Sequence, residues 1–245
     1  MYYYIFGPPK SYAENKICEQ IKNTLALLGI SGETTTVSPA RSATELALMG
    51  IGKGYSTIVA VGNDELVNEI ASNICGSGAV LGIIPVNASN DICDLIGARD
   101  IKEACLALQK RHLEIVSMGY LEPGIHFLTK LTIDAGKQLN IQAEIDDFYF
   151  ETKANRIIIN NNLDINIYSH IESDGFLNKF LNFLKEKKTV SANDSFFKAR
   201  RLRLRTHEIM PVKIRSLTVA KTPIVAYRKP NALKIIKFFS KIDSK

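Results

Sequence analysis

Short, uninterrupted apolar runs alternate with helix-length amphipathic stretches through the first half of this chain, and after about residue 117 the alternation stops. Tyr2–Phe6, Thr34–Val37, Thr57–Val61 and Val80–Ile84 read as strands. Tyr12–Leu28, Ser42–Gly50, Glu65–Ile74, Ile92–Ile96 and Ile101–Lys110 read as helices. In the first of these, Ile17, Ile21, Leu25 and Leu28 recur at helical spacing and Gly29 closes the stretch. Ser42 or Thr44 is the cap of the second. Thr57-Ile-Val-Ala-Val61 carries no polar alternation, so such a strand must be covered on both faces. Strands of that kind separated by helices predict a parallel sheet with helices on either side.

The second half is a series of short strand-like runs. They are Leu113–Val116, Gly124–Ile133, Gln142–Ile145, Asp147–Thr152, Arg156–Ile159 and Ile165–Tyr168, then 199–206, 211–219, 223–227 and 232–238. A helical stretch, 176–187, interrupts them. Turn signals every ~8–12 residues predict an antiparallel sandwich or barrel. The expected architecture is α/β: a parallel-sheet domain over 1–118, with 236–245 as a candidate closing strand, followed by an antiparallel β-sandwich domain over 119–235. At 245 residues and 46% apolar content the chain has material for such cores, which excludes disorder as the main state. No run approaches the ~18 apolar residues of a membrane helix. The start, Met1-Tyr-Tyr-Tyr-Ile-Phe-Gly-Pro, lacks the basic and long apolar regions of a signal peptide, so a cytoplasmic location is expected. The four cysteines, 18, 75, 93 and 105, have neither metal nor redox spacing and read as small core residues of a reducing compartment.

The formal net charge of +6 is unevenly placed: residues 1–178 carry 13 basic and 21 acidic side chains, residues 179–245 carry 18 and 4. The C-terminal excess suggests a polyanionic partner. Arg201, Arg203 and Arg205 alternate with leucine, which puts them on one strand face. Lys234, Lys237 and Lys241 are interleaved with bulky apolar residues, as in interfacial segments. An anionic membrane surface is the partner these six residues fit; a solvated strand face with a core-packed terminal strand is the alternative. Nucleic acid is not expected, because there is no Trp and no zinc-finger, RNP or helix-turn-helix signature.

Two successive junctions have the form strand, polar loop, helix. The first is Ile58-Val-Ala-Val-Gly62-Asn63-Asp64-Glu65-Leu66, the second Ile83-Ile84-Pro85-Val86-Asn87-Ala88-Ser89-Asn90-Asp91. Backbone N–H groups and helix dipoles at such junctions suit phosphate, and in parallel sheets ligands sit beyond the carboxyl ends of strands. Asp64 and Asn90 could equally be ordinary helix caps.

The two loops together resemble the diacylglycerol kinase and sphingosine kinase family of lipid kinases, which is distantly similar to NAD kinases. Gly62, Asp64, Asn68 and Glu69 match the family's Gly-Gly-Asp-Gly-Thr loop and the Asn-Glu pair in its next helix. Asn63, Glu65 and Leu66 replace glycine, glycine and threonine. Pro85, Asn90 and Asp91 match the second loop, where Asn87 and Ala88 replace glycine and threonine. An N-terminal loop survives as Gly7-Pro8-Pro9-Lys10-Ser11. Further along, Gly124–Phe127, Arg156–Asn161, Ser173-Asp174-Gly175-Phe176-Leu177-Asn178, Thr222-Pro223 and Pro230–Ile235 resemble family segments in order. The resemblance implies ATP and Mg²⁺ as cofactors and a nucleotide site at Gly62, Asp64, Glu69, Asn90 and Asp91. It also implies Asp174 as ligand of a divalent cation, with a plain Asp-Gly turn as the alternative. Implied partners are an anionic membrane, a lipid substrate and a nucleotide, and a homodimer is compatible with it.

One departure bears on activity. Where the family places the aspartate thought to act as base, this chain has Pro211-Val-Lys-Ile-Arg215-Ser-Leu217. Arginine cannot accept a proton near neutral pH, and the neighbouring carboxylates are Glu208 and Asp243. No catalytic residue is assigned. The reading is a lipid kinase-like protein that transfers the γ-phosphoryl of ATP to a lipid hydroxyl if active. The alternative is a weak or inactive relative that binds nucleotide or anionic lipid as a regulator. An NAD kinase-like enzyme is disfavoured by the C-terminal segments.

Overall fold

The computed structural model describes residues 1–169 and 193–239. The described residues form a mixed α/β fold built on one 14-stranded sheet. Its first part follows the expected alternation: β1 (Tyr2–Phe6), α1 (Tyr12–Leu27), β2 (Glu33–Thr36), α2 (Ala43–Gly52), β3 (Thr57–Gly62), α3 (Asp64–Ile74), β4 (Val80–Pro85), α4 (Asn90–Ile96) and α5 (Ile101–Lys110). The strands pair in parallel in the order β2-β1-β3-β4. Every residue of β3 is buried, as its unbroken apolar run requires. Local chemistry sets the helix starts. Ser42 and Glu45 form a reciprocal capping box at α2, and Asn63 accepts from the Leu66 N–H at α3.

The rest pairs antiparallel: β5 (His112–Leu121), β6 (Ile125–Phe127), β7 (Leu131–Ile145), β8 (Phe148–Ile159), β9 (Asp164–Ser169), β10 (Asn193–Lys198), β11 (Arg201–Thr206), β12 (Pro211–Ile214), β13 (Leu217–Lys221) and β14 (Ile224–Lys237). Several runs that the sequence separates are single strands with a bulge. The register of β7 shifts between Asp134 and Leu139, around Gly136 in the left-handed region, and β7 continues beyond it. Pro230-Asn231 similarly interrupts β14 without ending it, with Asn231 at φ +51°. Conversely, 211–219 reads as one strand but is a tight hairpin, with Ile214 opposite Leu217 and Arg215-Ser216 as its two-residue loop.

β14 joins the two regions. Its first residues pair antiparallel with β11, and Lys234 and Ile235 pair in parallel with β4, just ahead of the closing strand expected at 236. Two hydrophobic cores flank this seam. One contains Phe6, Ile58, Val67 and Ile84; the other contains Leu131, Ile157, Leu204 and Val212. β5 and β14 contribute to both, through Val116 and Leu233 to the first and Leu121 and Ile224 to the second.

Candidate functional site

The carboxyl ends of β1, β3 and β4 lie side by side, because the three strands pair in register: Phe6 opposite Val61, and Gly62 opposite Pro85. The loops that leave them are tied together by backbone bonds, Gly7 N to Val61 O (2.9 Å) and Val86 N to Gly62 O (3.0 Å). The two strand–loop–helix junctions are therefore neighbours, as the sequence implies.

Asp64 is the hub. It opens α3, and its side chain is only 2% exposed. One carboxylate oxygen accepts from the Ser89 N–H (2.7 Å) and from Arg215 Nη1 (3.1 Å); the other accepts from Ser89 Oγ (2.5 Å). The buried charge is thus met by three donors, including one cation, as a carboxylate out of water requires. Arg215 comes from the tip of the β12–β13 hairpin, and it also donates to the Asn87 carbonyl (2.5 Å). The adjoining Ser216 Oγ donates to Glu65 Oε1 (2.9 Å). The turn therefore clasps both loops.

Asn68, one turn further along α3, is buried and fully satisfied. Its Nδ2 donates to the Asp64 carbonyl and to Thr129 Oγ1 (2.7 Å each). Its Oδ1 accepts from the Leu128 N–H (2.7 Å) and the Thr129 N–H (3.2 Å). This side chain fixes α3 against the segment joining β6 to β7.

Two spaces flank Asp64. The crevice over the loops, between Gly7–Lys10 and Gly62–Leu66, holds about 110 Å³. Leu66 lines it and packs on Gly62: a side-chain carbon at Gly62 would meet Leu66 Cδ2 at 2.6 Å. Small-molecule sites run to ~300–1,000 Å³, so this crevice does not enclose a nucleotide. On the far side of Asp64, between the loops and the β7–β8–β12 sheet, is an open cleft of about 470 Å³. Lys130, on its wall, pairs with Asp91 at 2.6 Å.

Of the residues expected from the sequence, Gly62, Asp64 and Asp91 meet at these loops, and Asn90 opens α4 beside them. Glu69 does not join them. It lies on the opposite side of α3, where it accepts from the N–H and the hydroxyl of Thr44 at the start of α2 (3.1 and 3.0 Å). Asp174, with its Asp-Gly motif, and Lys241 lie outside the described residues. Arg203 pairs with Glu144 at 2.9 Å, Arg201 lies over the Tyr227 ring, and Arg205 is exposed. Lys234 is exposed, and Lys237 pairs with Glu114 at 2.7 Å. Sequence reasoning did not single out Lys130, Arg156 or Lys213, which line the cleft with Arg215.

The implied cofactors meet a poor fit here. Three of the four lone-pair sites of the Asp64 carboxylate are taken by Ser89 and Arg215, and no group of three or more acidic, histidine or cysteine side chains suited to a metal occurs among the described residues. Nearby, burial pushes the Cys93 thiol pKa up, helped by the charges of Asp94 and Asp64, so this thiol stays protonated.

The model of the diacylglycerol kinase catalytic domain matches residues 5–121. A crystal structure of a diacylglycerol kinase from Bacillus anthracis str. Sterne superimposes with a TM-score of 0.72 at 18% identity, over 96% of each chain. Two more structures from that organism, given the same enzyme class provisionally, reach 0.76 and 0.75 at 17% identity, again over 96% of each chain. At these identities the likeness is one of fold. No curated protein matches the chain. No helix among the described residues is long and apolar enough to cross a membrane.

Proposed function

We propose that this chain, whose residues 5–121 belong to the diacylglycerol kinase catalytic-domain family, acts as a ligand-binding member with weak or absent phosphoryl transfer. The observation that carries this reading is the Arg215 clasp on Asp64 and Asn87. In-line transfer of a γ-phosphoryl group needs cradled phosphates and a group that orients or deprotonates the acceptor. Arg215 cannot take a proton, and general-base help typically contributes ~10²–10⁴-fold. The small crevice beside Leu66 adds a second obstacle, at the place where the family resemblance suggests ATP. An active lipid kinase is the second reading, favoured by the open cleft beside Asp64 and Asp91.

Labelled-phosphate transfer from ATP to diacylglycerol in mixed micelles, beside an Arg215→Asp variant, tests the two. The expected result is little or no turnover by the unmodified protein. Robust turnover would overturn this reading in favour of the active kinase.

The protein would work on the cytoplasmic face of an anionic membrane, with Arg201, Arg203, Arg205, Lys234 and Lys237 toward the lipid. The uneven charge supports this, at ~1 kcal/mol per basic residue near a charged leaflet. Vesicle sedimentation across a salt series should show binding that fades with salt; equal binding to neutral and anionic vesicles would refute it.

A further inference from the structure

The wall of the cleft opposite Asp64 is built by alternation. On β7 and the residue before it, Lys130, Thr132 and Asp134 alternate with the buried Leu131 and Ile133. On β8, Arg156 and Ile158 alternate with the buried Ile157 and Ile159. On β12 and its turn, Lys213 and Arg215 alternate with the buried Val212 and Ile214. The pairing registers set Lys213 opposite Thr132, Thr132 opposite Ile158, and Asp134 opposite Arg156. Directly opposed residues share a face, so one side of this sheet is core and the other gathers four cations over the cleft.

Two of the four are already paired: Lys130 with Asp91 and Arg215 with Asp64. The third acid of the wall, Asp134, accepts from the Gly136 N–H at 3.1 Å. Arg156 and Lys213 have no carboxylate within ion-pair distance among the described residues. They face a space of about 470 Å³, which is larger than one anion and within the range of small-molecule sites.

We infer that this cleft binds a phosphomonoester, with Arg156 and Lys213 holding the phosphate and the remaining volume taking the group esterified to it. A guanidinium offers paired N–H donors matched to phosphate oxygens, and a lysine adds a point charge. Such a ligand already carries the phosphate that a kinase would add to a lipid hydroxyl. The inference deepens the ligand-binding reading above and rests on it for its context. It does not depend on whether residual phosphoryl transfer occurs.

Isothermal titration of the full chain with inorganic phosphate, glycerol 3-phosphate, AMP and glycerol tests it. The phosphates should bind and glycerol should not. Glycerol 3-phosphate and AMP separate a lipid-like headgroup from a nucleotide as the source of the phosphate. Arg156→Gln and Lys213→Gln should each weaken binding about tenfold, the double variant should lose it, and Lys102→Ala on α5 should leave it unchanged. Melting curves of the variants show whether each is folded. No binding of any phosphate, or undiminished binding by a folded double variant, would overturn the inference. Turnover in the micelle assay together with phosphate binding here would contradict only the reading of weak transfer.

Discussion

The two walls of the cleft reach their polar surfaces by different routes. On the α/β side, each polar group sits in a loop or first helical turn at the end of a buried parallel strand, and neighbouring backbone and side chains meet it. Asp64 has Ser89 and Arg215; Asn68 has four partners; Asn63 caps its own helix. On the antiparallel side, polar groups stand on alternate positions of strands whose other face is core, and among the described residues Arg156 and Lys213 have no carboxylate within ion-pair distance. Polar residues in the loops and the first turns of α3 thus hold the two regions together, while the proposed capacity to take an anion lies on the sheet. Asp64 and Asn68, both singled out by their resemblance to a family motif, are engaged internally.

The contrast fails if loop residues tolerate truncation. Asn68→Ala would orphan the Leu128 and Thr129 N–H groups in a buried junction, at ~1–3 kcal/mol per group. A total loss of about 3–5 kcal/mol is expected, a drop of roughly 6–20 °C in Tm for a chain of this size, measured by thermal denaturation. A smaller effect is expected of Arg215→Ala. Its side chain is 44% exposed, and Ser89 still donates twice to Asp64, so screening leaves about 1–2 kcal/mol. A loss as large as that of Asn68 would mean that the hairpin clasp, and not α3, holds the cleft together.

The smallest expected effect sharpens the seam between the regions. His126 on β6 donates its N–H to Ser72 Oγ of α3, and burial, then the Lys229 charge, holds its imidazole pKa below the ordinary 6.5. Because the folded state disfavours the protonated ring, stability is full above the unfolded pKa. It declines as pH falls below about 6.5 toward the folded value. Denaturant titrations from pH 7.5 to 5 should show that decline, reduced in His126→Gln. An unchanged profile in the variant would assign the decline to other groups.

The legibility of the sequence follows the same division. Helices α1 to α5 and strands β1 to β4 are expected nearly where they occur, because a fully apolar run and a capped amphipathic stretch are local signals. The adjacency of the loops after β3 and β4 also follows from that order. Strand lengths in the second half do not, since Gly136 and Pro230-Asn231 look the same in sequence whether they end a strand or bulge it. Arg215 reads as a strand residue but is a turn tip with φ +52°. The cations of the sheet wall were visible as alternation in Lys130-Leu-Thr-Ile-Asp134 and Lys213-Ile-Arg215. That they share one face is decided by register, both within the β7–β8 hairpin and between β7 and the distant β12.

The division between a structural wall and a binding wall is tested most directly by taking Asn68→Ala and Arg156→Gln through the same pair of measurements, Tm and glycerol 3-phosphate affinity at a temperature where both are folded. Asn68→Ala should lose thermal stability and keep its affinity within about threefold, while Arg156→Gln should keep its Tm within the ~0.5 kcal/mol typical of exposed sites and lose about tenfold in affinity. The opposite pattern, phosphate binding abolished by Asn68→Ala below its Tm and unaffected by Arg156→Gln, would contradict the division and return the anion site to the loops.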